Sequence, residues 1–178
     1  MDLASPLGVL ERLPVTTLDS KKIRNFYLLQ LNFSMQDTLC ICIFDNAPVR
    51  HFKVHELVEA AQATTGWEIS AYELMKAGER RLNMFRIFNL REESPLDRYW
   101  LPERMFDPIE SGPRAGLAVD RAVLSEALAK YFEMLNWDEG AVPREMKLAE
   151  LDISWLEPIA KQYRGKVRDV IGLPAGVA

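Results

Sequence analysis

Cysteine is scarce in this sequence of 178 residues, which contains only Cys40 and Cys42. A secreted protein of this size more often carries several spaced cysteine pairs, so a reducing compartment is expected. Apolar runs such as Phe26–Leu29 are far shorter than the roughly 20 residues that span a bilayer. Met1–Leu10 also lacks the basic start and long apolar run of a secretory signal. These absences predict a cytoplasmic protein with no membrane partner.

Basic residues are not in excess, and glycine-rich phosphate loops are absent. The chain has 22 Lys and Arg against 26 Asp and Glu, a formal net charge of −4, which leaves no electrostatic footprint for nucleic acid. It contains no G-x-G-x-x-G or G-x-x-x-x-G-K pattern and no G-x-S-x-G nucleophile elbow. The sequence therefore points away from nucleic acid, from phosphate loops and from serine-type hydrolysis.

Credible strands are hard to find, whereas apolar residues recur at the spacing of amphipathic helices. Ser70 and Glu73 have the spacing of a capping box, and Ser154 and Glu157 repeat it. The pattern predicts an all-α fold. We expect the chain to form a single helical unit over residues 1–178, or two small helical subdomains at about 1–65 and 66–178. The predicted principal helices are Ser20–Phe33, Val54–Thr64, Ser70–Leu90, Asp120–Asn136 and Ser154–Arg164, with a short helix from Pro143 to Leu151.

Two segments lack a clear helical pattern. Asp37–Phe44 has an apolar run that fits a buried strand, and periodicity alone does not separate this from a helix. Arg91–Gly116 is rich in proline and glycine and reads as a long loop. Its apolar content is too high for a free linker, so we expect it to pack against the helices. The loop residues expected to be partly buried are Leu101, Met105, Phe106 and Ile109.

Thiols and imidazoles are the candidate metal ligands. Cys40 and Cys42 are two residues apart, whereas an iron–sulfur cluster usually takes about four thiolates. His51 and His55 are four apart, which puts both on one helix face, but no Glu completes an H-E-x-x-H pattern. A solvated helix start explains the histidines more simply than zinc does. For Cys42, a metal ligand and an inert buried thiol are both open.

Three stretches together resemble the aldehyde:ferredoxin oxidoreductase family, which includes tungsten enzymes. The resemblance covers about Lys21 to about Leu151 and matches only the end of a family member, which is normally several hundred residues long. The stretches are TGWEIS at 65–70 with GERRLN at 78–83 and RIFNLRE at 86–92; Asp97 with LPER at 101–104, DPI at 107–109 and Gly112; and YFEMLNWDEGAVP at 131–143.

This resemblance implies a fold and a set of cofactors. In the family, a β-rich N-terminal domain precedes two helical domains, and a metal-pterin lies between the three. A 4Fe-4S cluster nearby takes three cysteines from elsewhere in the chain and the fourth from a D-x-x-G-L-C motif. The chain would then be a C-terminal fragment of this architecture. It would bind no cofactor alone and would share the tungsten or molybdenum pterin and the cluster only in the complete enzyme.

Residues 37–42, with the sequence DTLCIC, are similar to that motif. Cys40 stands where glycine is usual, and Ile41 stands where leucine is usual. The resemblance implies that Asp37 hydrogen-bonds the pterin ring, that Ile41 lies in the pterin neighbourhood and that Cys42 is the fourth cluster ligand. Cys40 is a weaker candidate for the metal, and no residue of the chain is assigned a catalytic role.

Other matched residues have structural interpretations. The aromatic and apolar residues Trp67, Leu82, Phe85, Phe88 and Trp137 are expected in the core. The arginines Arg80, Arg86 and Arg91 are expected to pair with Glu79, Glu92 or Asp97 and to fix the long loop onto the helices.

Two functions of different classes fit the sequence. The first is the C-terminal part of an oxidoreductase that oxidises aldehydes at a tungsten-pterin centre and passes electrons through an iron–sulfur cluster to ferredoxin. This part would be inactive alone and would need the N-terminal family domain or a separate polypeptide carrying it. The second is a non-catalytic helical scaffold or subunit-interaction module left by a split or truncated gene, which could also form a homodimer.

We expect the isolated chain to bind no iron–sulfur cluster and no tungsten and to lack aldehyde-oxidising activity, because it offers two thiols where about four are needed. Metal analysis of the anaerobically purified chain tests this, and stoichiometric iron in a monomer would contradict it. Asp37 and Cys42 should nonetheless lie at one edge beside exposed apolar surface, where the missing domain docks.

Overall fold

The computed structural model describes residues 5–45, 52–93 and 99–166. This part of the chain is helical and contains no β-strand, apart from a single bridge between Trp137 and Pro143. The prediction of an all-α fold is therefore confirmed. None of the helices in these ranges is long and apolar enough to cross a membrane. The α-helices are α1 (Ser20–Thr38), α2 (Val54–Thr65), α3 (Ala71–Arg91), α4 (Arg121–Met134), α5 (Glu145–Glu150) and α6 (Glu157–Tyr163), and the 3₁₀ helices are Ser5–Leu7, Glu103–Met105 and Ser154–Leu156.

Side-chain caps fix the starts of the long helices. The Ser70 hydroxyl accepts a 3.3 Å hydrogen bond from the Glu73 amide, and Glu73 Oε2 accepts a 2.8 Å bond from the Ser70 amide. At the starts of α1 and α4, the side chains of Asp19 and Asp120 each accept a hydrogen bond from a backbone amide three residues further on. A cap of this kind contributes about 1 kcal/mol. The capping box predicted before α3 is confirmed.

The predicted helix Ser154–Arg164 is instead two elements. Ser154 begins a 3₁₀ turn, and α6 begins at Glu157 with Pro158 in its first turn, where a missing N–H breaks no helical bond. The Glu157 carboxylate does not cap the helix. It binds both terminal nitrogens of Arg164, at 2.7 and 2.8 Å. Because Arg164 holds both oxygens of this carboxylate, Glu157 does not accept the backbone amide of Ser154, and the second predicted capping box does not form.

Helix α3 joins the separate parts of the core. Ile87 and Leu90 pack with α5 and α6, on one side of the helix. Leu74 packs with Met35 of α1 and Leu57 of α2 on another side. The division into two subdomains near residue 65 stays a prediction, although α2 and α3, which lie on either side of it, are in contact.

Helices α1 and α3 approach each other closely at Gly78. A Cβ atom at this position would lie 2.5 Å from the Leu31 carbonyl oxygen and 2.7 Å from the Met35 amide nitrogen. Both are backbone atoms inside a helix, so they cannot move aside without displacing α1. The Ser34 hydroxyl closes the contact with a 2.7 Å hydrogen bond to the Gly78 carbonyl oxygen. This crossing therefore requires a residue without a side chain.

A buried ion pair holds α5 against α3. The Glu79 carboxylate, which is 1% exposed, binds Lys147 Nζ at 2.8 Å and Lys76 Nζ at 2.7 Å. The Tyr27 hydroxyl of α1 donates to the same carboxylate at 3.2 Å. Burial and then the Glu79 charge raise the pKa of Tyr27 well above its ordinary value, so the phenol stays a donor. Removing Glu79 would leave the buried Lys147 ammonium with only the more exposed Glu150 carboxylate as its partner. Loss of the buried partner of a buried charge is strongly destabilising.

Several residues predicted to lie in the core are exposed. Trp137 is buried as predicted, and Leu82 is partly buried against the same cluster. Trp67, Phe85 and Phe88 are between 50% and 68% exposed, so the core prediction was wrong for these three. Trp67 follows the end of α2, and the two phenylalanines lie on a face of α3 that is left largely uncovered by the described residues.

The long loop follows its prediction only in part. Leu101 and Phe106 are half-buried, whereas Met105 and Ile109 are exposed, so the prediction was wrong for these two. The reason is that part of the loop bonds to itself: the Ile109 amide donates to the Leu117 carbonyl at 2.9 Å. Its apolar side chains are therefore not all turned toward the helices.

The three arginines expected to form ion pairs behave differently. Arg91 pairs as predicted, with the Glu92 carboxylate at 2.7 Å. Arg80 donates to the Leu151 carbonyl oxygen at 2.6 Å, and Arg86 donates to the Ala141 carbonyl oxygen at 2.5 Å, so these two side chains fix the chain on either side of α5. Asp97 lies outside the described residues, and its predicted pairing with an arginine stays a prediction.

We expect Gly78→Ala to lower the free energy of unfolding by about 1–3 kcal/mol, because overpacking at a rigid crossing outweighs the gain of about 1 kcal/mol in helix propensity. Urea denaturation measures this. Asn89→Ala, at an exposed position of the same helix, is the matched control and should change stability by less than about 0.5 kcal/mol. A stabilised Gly78→Ala variant would contradict the crossing described above.

Candidate functional site

The segment that resembles the family motif is the end of α1. This helix continues to Thr38, five residues beyond the predicted Phe33. Cys40 then adopts the left-handed conformation, with φ of 56°. The Ile41 amide donates to the Gln36 carbonyl at 2.9 Å, and the Cys40 amide donates to the Asp37 carbonyl at 3.3 Å. These two bonds are the Schellman motif, in which a left-handed residue satisfies the last carbonyls of a helix. Residues 37–42 therefore form a helix cap and not a strand.

Ile41 is the apolar anchor of this cap. It packs against the buried cluster of Met35, Leu57 and Leu74. A contact between the residue after the left-handed position and the preceding helical turn commonly accompanies the motif. The cap is thus held both by backbone bonds and by side-chain packing, and its geometry is fixed from within the domain.

Asp37 lies in the last turn of α1 with its carboxylate accessible. Its Oδ2 is 3.2 Å from Arg81 Nη1 of α3, and the two side chains are 56% and 34% exposed. The Arg81 guanidinium also lies 3.4 Å from Ser34 Oγ and 4.6 Å from the Phe85 ring centre. A pair this exposed contributes little to stability. Its effect is to orient the carboxylate at the edge of the molecule.

Both thiols follow directly and are exposed. The Cys42 carbonyl accepts a 2.9 Å bond from the Asp45 amide, which turns the chain after the motif. No cluster of three or more metal-binding side chains occurs within the described ranges. His55 is exposed on α2, and His51 lies outside the described residues. The structure therefore brings Asp37, Ile41 and the two cysteines into one turn.

Exposed apolar side chains follow the thiols along the chain. Ile43, Phe44 and Phe52 are between 47% and 65% exposed, and the Phe52 amide donates to the Asp45 carbonyl at 3.0 Å, which places Phe52 beside Asp45. We call residues 42–45 and Phe52 the thiol edge. An exposed apolar group of this kind is typical of an interaction surface. Docking of a missing domain at this edge stays a prediction.

A second apolar surface adjoins Arg81. It is an open cleft of about 590 Å³ along α3 from Ala77 to Arg91, bounded by Thr38 at the end of α1 and by Trp155, Leu156 and Ile159 before and in α6. We call it the α3–α6 cleft. This cleft could not be predicted from the sequence, because its aromatic residues have the helical spacing of a core face.

The family model of aldehyde ferredoxin oxidoreductase, domains 2 and 3, matches residues 3–153. The chain therefore belongs to the aldehyde ferredoxin oxidoreductase family, as the sequence motifs predicted.

Particular relatives agree with this assignment. The tungsten-containing aldehyde ferredoxin oxidoreductase of Pyrococcus abyssi is 30% identical over 150 residues, which cover 83% of this chain and 24% of the relative. That of Pyrococcus horikoshii is 31% identical with the same coverage. The WOR-like subunit of the aliphatic sulfonate oxidoreductase of Pyrococcus furiosus is 29% identical over 149 residues, 79% of this chain and 23% of the relative. The chain spans about a quarter of the length of these relatives.

The two departures from the D-x-x-G-L-C motif are compatible with the observed turn. The position of the motif glycine is the left-handed residue, which favours glycine but here carries Cys40. The position of the motif leucine carries the apolar anchor Ile41, which has similar volume. Asp37 and Cys42 are both accessible, so the residues present fit the pterin and cluster that the family motif would hold.

We expect Cys40→Gly to raise the free energy of unfolding by about 0.5–1 kcal/mol, because glycine relieves the left-handed strain and the exposed Cys40 side chain loses no packing. Urea denaturation under reducing conditions measures the change. Cys40→Ala keeps a Cβ atom in the same conformation and serves as the control, with a change below about 0.5 kcal/mol. Equal effects of Gly and Ala would argue against strain at this residue.

Proposed function

We propose that this chain is the C-terminal part of an oxidoreductase that oxidises aldehydes at a tungsten-pterin centre and passes electrons through a 4Fe-4S cluster to ferredoxin. In this proposal the chain is inactive until it joins the polypeptide that carries the remaining family domains. The observation that carries the proposal is the cap of α1, which presents an accessible carboxylate and an accessible thiol on the turn that matches the family motif.

Asp37 would accept hydrogen bonds from the N–H edge of the pterin. A carboxylate suits this guanidine-like edge, since charge-assisted bonds are stronger than neutral ones. Arg81 acts through Asp37 and is a positioning residue, because it holds the carboxylate from the side of α3. Ile41 would form apolar surface near the ring, with its own position fixed by packing against α1 and α2.

Cys42 would provide one thiolate to the cluster, and the missing part of the enzyme would provide the other three. When bound, the pterin metal supplies the two-electron oxidation and the cluster carries the electrons away one at a time. The protein's task on this side is to hold one ligand in a fixed place. The cap of α1 suits that task, since Cys42 directly follows its anchored residue Ile41.

Support for a missing partner comes from coverage and from the surface. The relatives are about four times as long as the matched segment, which is 24% of the Pyrococcus furiosus tungsten enzyme. The thiol edge exposes apolar side chains beside the two cysteines. An N-terminal family domain, in the same or a separate polypeptide, is the partner that these observations favour. The alternative of a non-catalytic scaffold predicts a complex of the same composition without metal.

Anaerobic co-expression of this chain with the N-terminal three quarters of the Pyrococcus furiosus relative tests the proposal. We expect a complex that contains iron and gives the electron paramagnetic resonance signal of a reduced cluster. Cys42→Ser should abolish or alter the signal, because a hydroxyl is a poor replacement for a thiolate ligand. Cys40→Ser is the matched control and should leave iron content unchanged.

Asp37→Asn tests the pterin contact separately. The amide keeps the size of the side chain but loses its charge and presents N–H donors to a donor edge. We expect less pterin to co-purify, measured as the fluorescent oxidation product, with the cluster retained. A cluster that survives Cys42→Ser, or a complex without iron, would contradict the proposal and favour the scaffold.

A further inference from the structure

The α3–α6 cleft is long, and the proposed function assigns no ligand to it. Between Ala77 and Arg91, the face of α3 that lines it advances 14 residues, or about 21 Å at 1.5 Å per residue. Phe85, Phe88 and Trp155 line the cleft, and each is at least 50% exposed. An open apolar groove of this length suits an amphipathic helix laid along it, with side chains at successive turns as anchors.

The charges in the cleft are of one sign. Its charged lining residues are Arg80, Arg81 and Arg91. Arg81 is paired with Asp37 and Arg91 with Glu92, so two of the three charges are already balanced. Arg80 uses only its Nε, in the bond to the Leu151 carbonyl, and has no carboxylate partner within the described residues.

The Arg80 guanidinium, which lacks a carboxylate partner among the described residues, distinguishes between possible occupants of the cleft. Two copies of the chain joined through the cleft would bring two Arg80 side chains into one interface without adding a carboxylate. A small apolar molecule would fill only part of a groove of about 21 Å. An amphipathic helix with one acidic residue on its apolar face would cover the aromatic side chains of the cleft and place a carboxylate on Arg80. The resulting charge-assisted hydrogen bond is stronger than one between neutral groups.

We propose that the α3–α6 cleft binds an amphipathic helix that places a carboxylate on Arg80, and that this helix belongs to the polypeptide that completes the enzyme. The origin of the helix rests on the proposed function. Its recognition by the cleft does not, since neither metal nor pterin takes part in it.

Synthetic peptides test the recognition directly. The probes are helical peptides of roughly 18 residues, five turns, with a leucine stripe and one Glu that is moved by one turn from peptide to peptide. Each has a twin with Gln in place of Glu. Trp155 emission reports binding, because this side chain is exposed and lines the cleft. We expect at least one Glu peptide to bind about tenfold more tightly than its twin, as for a hydrogen bond between charged groups.

Variants of the chain separate the charge from the apolar wall. Arg80→Met should remove the preference for Glu over Gln, and Arg80→Glu should transfer it to a peptide with Lys at the same position. Phe88→Asp should abolish binding of every peptide, whereas Val123→Asp, at an exposed position of α4, should leave it unchanged. Circular dichroism first establishes that each variant keeps its helical content.

The proposal would be overturned by equal affinity for the Glu and Gln peptides, by no peptide binding, by binding that survives Phe88→Asp, or by self-association of the chain that Phe88→Asp abolishes. The last would identify a second copy as the occupant. Displacement of the peptides by decanoate would identify a small carboxylate instead and would equally count against it. Since the assay contains no metal, its failure is distinguishable from failure of the cluster experiment with Cys42→Ser.

Discussion

The crossing of α1 and α3 at Gly78 is the contact on which the rest of the arrangement depends. With no side chain at this point, the backbones approach until a Cβ atom would meet the Leu31 carbonyl at 2.5 Å. This close approach of the two backbones lets side chains of α1 and α3 meet on either side of the crossing. Toward the start of α1, Tyr27 reaches Glu79. Toward its end, Arg81 reaches Asp37. A wider separation would break both pairs at once, so one absent side chain controls both the core and the candidate site.

The end of α1 combines a structural role with the proposed functional one in very few residues. The two bonds that satisfy the last helical carbonyls also turn the chain at the left-handed residue Cys40. Asp37 lies just before this turn, and Cys42 lies just after it. A ligand-bearing loop would have to be ordered on binding, at a cost of about 1–2 kcal/mol for each residue fixed. A helix cap anchored by Ile41 is ordered beforehand. Under the proposed function, this prior order is the physical advantage of placing the ligand residues on such a turn.

The helices could be predicted because their signals are local. Ser70 and Glu73 define the start of α3 by their spacing alone, and the structure has the same bonds. The end of α1 could not be predicted in this way. Glycine usually marks the left-handed position, and Cys40 conceals it in a run that also fits a strand. The Arg81 contact was missed for another reason, since its partner lies 44 residues away and no local pattern joins them.

Burial was the least predictable property. Helical periodicity identifies a face that is apolar, but it does not say whether another element of the same chain covers that face. Phe85 and Phe88 of α3 have the pattern of core residues and are exposed, whereas Trp137 follows α4 and is buried with its indole nitrogen bonded to Asn83 at 2.8 Å. An apolar face that packs in the core and an apolar face that stays exposed therefore have the same sequence pattern.

The exposure of both thiols also determines how the purified chain behaves in air. Accessible thiols oxidise to sulfenic acids and disulfides, and Cys42 is next to Ile43 and Phe44, which are exposed as well. A disulfide between two molecules would therefore hold two apolar patches side by side. Oxygen can thus produce a covalent dimer that resembles a biological assembly, and the history of the sample determines which species is isolated.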